Sequence, residues 1–128
     1  MTITRYDPLK APDPEAWLAI DEMERIELVR AFHVRAGIEL PNEEVHATLH
    51  AIIENQIALG DQTPVQLKAR QLMAQGLNRH DAIHAIGSVL IKYIADTFTG
   101  ADEFTGDPNH RYYAALRRLN AQKWLRSG

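Results

Sequence analysis

Helix punctuation constrains this chain more than any other feature: cap signals recur along it, and no convincing period-two strand pattern appears between them. Asp13-Pro14-Glu15 is an N-cap followed by Pro at the first helical position, opening a short helix around Trp17. A longer helix follows from about Ile20 to Ala36, with Met23, Ile26, Val29 and Phe32 on one side and Gly37 as its stop. Asn42-Glu43-Glu44 starts the next, which runs to about Leu59 and stops at Gly60. Thr63-Pro64-Val65-Gln66 spells a capping box and opens a helix ending near Gly76. Asn78, with Asp81 three residues on, caps another long helix reaching about Thr97. Residues 99–109 form a polar, Gly-rich loop, and Asp107-Pro108 caps a last helix to about Leu125. Short connections between long amphipathic helices favour antiparallel packing. The expectation is an all-α single domain over residues 1–128, an antiparallel bundle of five or six helices.

Composition narrows the chemistry. The 128-residue chain holds no cysteine, so disulfides and thiolate metal sites are excluded and any metal must bind through His, carboxylate or backbone oxygen. The opening MTITRYDPLK lacks the apolar region of a signal peptide, and no apolar run approaches the roughly 20 residues a membrane span needs. The reading is a cytoplasmic protein without a membrane partner. A net charge of −3 exerts no overall pull toward nucleic acid. After Asp107, however, stand Arg111, Arg117, Arg118, Lys123 and Arg126 with no acidic residue among them. A basic helix can grip phosphate, but cations also suit the C-terminal end of a helix, and no aromatic-basic alternation supports a nucleic-acid reading. Homo-oligomerisation and an unidentified protein partner stay open.

Chemistry concentrates in the histidines. Val45-His46-Ala47-Thr48-Leu49-His50-Ala51-Ile52 and Arg79-His80-Asp81-Ala82-Ile83-His84-Ala85-Ile86 each carry two histidines four apart in the same context. Four residues advance a helix by roughly 40°, so each pair shares one face. On the third helix the apolar stripe is Val45, Leu49, Ile52, Ile53 and Ile57, with His46 inside its border, His50 at its edge and Glu54 one turn on. On the next histidine helix the stripe is Ile83, Ile86, Leu90, Ile94 and Thr97, bordered by His80 and His84, and Gly87 within it suits close approach of another helix. Imidazoles at i and i+4 can chelate one ion, and a carboxylate one turn on can complete the site. His80 lies in the first turn after its Asn78 cap, where the helix dipole favours neutral imidazole. The expected metal set is His46, His50, Glu54, His80 and His84, with His33 as a further nitrogen. The expected ion is divalent zinc, iron or manganese. The same residues also suit a structural hydrogen-bond cluster, and His110, after Pro108, reads as exposed.

His80-Asp81-x-x-His84 resembles the H-E-x-x-H of zinc peptidases, with Asp81 at the position of the general base. Aspartate is one methylene shorter than glutamate, Asp81 suits a capping role with Asn78, and the matching pair has Ala47 there. Peptidase activity is therefore not the expectation. Hemerythrin-like bundles are nearer in pattern: His50-x-x-x-Glu54 and His80-x-x-x-His84 resemble their central di-iron motifs, and His33 would stand for a first-helix ligand. Their closing H-x-x-x-x-D is missing, since Ala115 stands five residues after His110. Over nearly its full length the chain is similar to a family of small bacterial His-rich helical proteins of unknown function. That similarity rests on Trp17, Asp21-Glu22-x-Glu24-Arg25-Ile26, Leu40-Pro41-Asn42, His46-x-x-x-His50 with Glu54-Asn55-Gln56, and Gly76-Leu77-x-Arg79-His80 through His84-Ala85-Ile86. It implies that the histidines belong to a common plan and makes Arg79 and Gln56 candidates to orient imidazole or carboxylate. It supplies no activity. The leading expectation is a divalent-metal-binding protein, with hydrolase and oxidoreductase chemistry both open. The alternative is a non-catalytic interaction module with structural histidines and a basic C-terminal helix that meets a partner.

Overall fold

A computed structural model describes residues 3–38, 42–99 and 108–127. Among them are seven α-helices and no strand: α1 Pro14–Leu18, α2 Glu22–Arg35, α3 Glu43–Ala58, α4 Val65–Ala74, α5 Arg79–Thr99, α6 Pro108–Arg118 and α7 Ala121–Ser127. The chain is all-α, a helical bundle. No described helix is long and apolar enough to cross a membrane.

The expected caps mostly form: Asp13, Asn42 and Asn78 accept from the backbone N–H of Ala16, Val45 and Asp81 at 3.0, 3.4 and 2.8 Å. Helix α2 starts later than the expected Ile20, capped by Asp21, which accepts from Met23 N at 3.1 Å. Gly37 and Gly76, at φ 68° and 110°, close α2 and α4 in the left-handed conformation that favours glycine. After each, the next N–H reaches back across the last turn, Ile38 to the His33 carbonyl at 3.0 Å and Leu77 to that of Leu72 at 3.1 Å.

Two expectations about the elements are corrected. The capping box at residues 63–66 does not close: Thr63 Oγ1 accepts from Val65 N, but the Gln66 amide turns away to the Ile57 carbonyl. The single helix expected from Asp107 to Leu125 is two, because neighbours cap a break inside it. Lys68 Nζ donates to the Leu119 carbonyl at 3.0 Å, Asn120 caps Lys123 N, and Gln75 Oε1 accepts from Ala121 N. The Asp107 cap and residues 100–107 of the expected 99–109 loop lie outside the described residues, while Thr99 belongs to α5 and Pro108 and Asn109 to α6.

Helix α3 sits between two apolar clusters. Ile53 joins Val65, Leu72, Ile83, Ile86 and Leu116 on one side, and Ala47 and Ala51 join Tyr6, Trp17 and Val29 on the other. Burial on both sides turns α3 relative to its expected stripe. Val45, placed in that stripe, is 41% exposed, while the alanines are fully buried. Small side chains at 47 and 51 let α2 lie close, as alanine faces do. Met23, expected on the apolar side of α2, is likewise exposed, and Val29 and His33 form the buried row.

Candidate metal centre

Where α2, α3 and α5 meet, four imidazoles face one another. His33 comes from α2, His50 from α3, and His80 and His84 from successive turns of α5. One ring nitrogen from each lies within 4.8 Å of the other three. Ring centroids are 4.3 Å apart for His80 and His84, 5.4 Å for His50 and His80, and 5.6 Å for His33 and His50. Around a tetrahedral ion with metal–nitrogen bonds of about 2.0–2.1 Å, donors stand roughly 3.4 Å apart. The 4.8 Å bound on the quartet is wider than that spacing.

All four rings are held neutral. Burial depresses each of them first, and the neighbouring imidazoles add to it. His84 is lowered to about 4 by burial and then by His80 and His46, against a small opposing pull from Asp81. His50 lies well below the ordinary histidine value, by burial and then by His84, His80 and His33. Neutral imidazole is the form that carries a lone pair for a metal.

Three of the four histidines have a buried ring nitrogen without a hydrogen-bond partner: His33 Nε2, His50 Nδ1 and His80 Nε2. For His50 the bonding around it explains why. Arg79 binds both carboxylate oxygens of Glu54 at 2.7 Å, in a pair that is almost wholly buried. Glu54 is thereby an acceptor only, and the Tyr6 hydroxyl donates to it. Burial, then the Glu54 charge, pushes the Tyr6 hydroxyl far above its usual range, so its proton stays. With that proton committed, Tyr6 Oη can only accept from His50 Nε2 at 2.6 Å. The tautomer follows: Nε2 carries the hydrogen, and Nδ1, buried without a partner, keeps its lone pair. Carboxylates and hydroxyls that orient a ligating imidazole act in this way.

The residues of the expected set are not all brought together. His33, His50, His80 and His84 come together. His46 is exposed and lies at the edge, lining a pocket next to His84. Glu54 is 1% exposed but turned to Arg79 and Tyr6. Arg79 holds the Glu54 carboxylate through two hydrogen bonds. Gln56 does not orient one; it accepts from the Tyr112 hydroxyl and ties α6 to α3. Tyr6 was not marked by the sequence at all, since it precedes the first helix in a stretch with no periodicity. Its segment is pinned where Arg35 donates to the Tyr6 carbonyl and Arg79 to that of Pro8, both at 3.0 Å.

Beside the quartet is a pocket of about 230 Å³ walled by Leu49, Ile53, Ile83, Ile91, His50 and His84. Gly87 also borders it, and a Cβ built there meets nothing within 4 Å. Close helix approach, the use expected of this glycine, is thus not what it serves. No family model, curated protein or solved structure matches the chain.

Proposed function

We propose that this protein binds one divalent transition metal through His33, His50, His80 and His84. The observation that carries the reading is the convergence of four imidazoles, one ring nitrogen of each within 4.8 Å of the others, in a group where His33, His50 and His80 each keep a buried nitrogen without a hydrogen-bond partner. A purely structural histidine cluster would spend those nitrogens on hydrogen bonds, since each one left unsatisfied in the interior costs about 1–3 kcal/mol. An ion satisfies all of them together. Imidazole donors suit zinc and ferrous iron, whereas manganese prefers carboxylate oxygen. With Glu54 engaged by Arg79, the donor set favours zinc or iron over manganese.

The test is metal analysis of protein purified without a histidine tag, then titration with zinc and ferrous iron. One equivalent of metal, lost in both His50→Ala and His84→Ala, is the expected result. Wild-type protein that takes up no metal, or both variants retaining a full equivalent, would assign the quartet a structural role instead.

A further inference from the structure

A divalent ion in this quartet would have four neutral donors and two uncompensated positive charges. Glu54, the nearest buried carboxylate, is committed to Arg79 by two 2.7 Å hydrogen bonds. Asp7 and Asp81 act electrostatically on His80, and Glu43 on His33, but none of them belongs to the group of donors that close on one point. Uncompensated charge in the interior is costly, so an anion at the ion is favoured.

The pocket supplies a place for one. His50 and His84 belong both to the quartet and to the pocket wall, so a molecule within the pocket lies against the two ligands nearest it. The rest of the wall is largely aliphatic, with Leu49, Ile53, Ile83 and Ile91 around the open space over Gly87. The Ser88 hydroxyl is engaged with the Ala85 carbonyl at 2.6 Å. A dry cavity of about 150 Å³ accommodates benzene, so 230 Å³ admits a single ring or a branched chain with a small head group.

We infer that this pocket takes a small carboxylate with an apolar body, its carboxylate meeting the ion beside His50 and His84 and its body resting on the isoleucines. The inference rests on the metal reading above. Zinc and cobalt can both expand from four to five ligands, so a carboxylate need not displace a histidine.

Cobalt(II)-loaded protein tests it, because the visible d–d bands respond to a change in coordination. Cobalt content is measured first. The protein is then titrated with benzoate, which has the apolar body, and with acetate, which lacks it. Benzoate should change the bands and bind at least tenfold more tightly than acetate. Gly87→Leu, whose side chain enters the pocket, should keep its cobalt and lose at least tenfold in benzoate affinity. Gly87→Ala, a smaller intrusion, should show a weaker loss in the same direction and covers the case in which Leu is not tolerated. Bands indifferent to benzoate, equal response to acetate, or unchanged benzoate affinity in both Gly87 variants would overturn the inference while leaving the metal site standing. Failure to take up cobalt would remove both, and is recognised before any carboxylate is added.

Discussion

At the scale of single residues, Tyr6 decides how His50 presents itself. Tyr6→Phe deletes the oxygen shared by His50 Nε2 and Glu54, which frees the imidazole to rotate or change tautomer. Loss of such an orienting group costs about 10–100-fold in metal affinity. Competition titration with a chromophoric chelator should show that drop in protein that still folds, and affinity equal to wild type would show that Tyr6 does not orient the ligand. His46→Ala makes the complementary case. His46 is exposed and stands outside the convergent donors, so its loss should leave metal stoichiometry unchanged. The sequence reading ranked His46 and Glu54 with the ligands because helical spacing reports which residues share a face. It does not report which side of a multiply buried helix meets which neighbour. Nor could it pair Glu54 with Arg79, since that contact depends on how α3 and the first residue of α5 lie in space.

At the scale of elements, what was legible is what is encoded locally. Caps at Asp13, Asn42 and Asn78 and the stops at Gly37 and Gly76 are properties of a few adjacent residues, and they form. The break between α6 and α7 is supplied from elsewhere, by Lys68 and Gln75 in and just after α4, so periodicity along residues 108–125 ran through it. Asn120 is the local part of that break. Asn120→Ala should lower stability by about 1 kcal/mol, as loss of an N-cap does. Chemical denaturation measures this, and the metal content of the variant should match wild type because α7 contributes no residue to the quartet. Gly87 moves stability the other way. It lies inside α5 with open space where a Cβ would go, so Gly87→Ala should raise stability by up to about 1 kcal/mol. A destabilised Gly87→Ala would mean that the pocket does not have the room described.

At the scale of the whole molecule, the four depressed histidines make stability depend on pH in a direction that can be worked out. In the unfolded chain each imidazole titrates near 6.5. In the folded protein His84 waits until about 4, and His50 is also held well below its ordinary value. Between these limits the unfolded state binds protons that the folded state refuses. Metal-free protein should therefore keep its full stability above about pH 6.5 and lose it progressively as pH falls toward 4. Metal adds a second dependence. The ion stabilises the folded state by mass action, and protons oppose it only as they reach the same nitrogens. Since those nitrogens resist protonation when buried, the loaded protein should retain its ion to lower pH than an exposed histidine site, with release between about pH 6 and 4. Thermal melts of metal-free and loaded protein across this range provide the measurement. The two midpoints should be well separated near neutrality and converge in acid. Chelator added near neutrality should bring the loaded midpoint down to the metal-free one. Were the chelator to leave the midpoint unmoved while acid still lowered it, protonation of structural imidazoles would account for the whole curve, and the quartet would not be a metal centre.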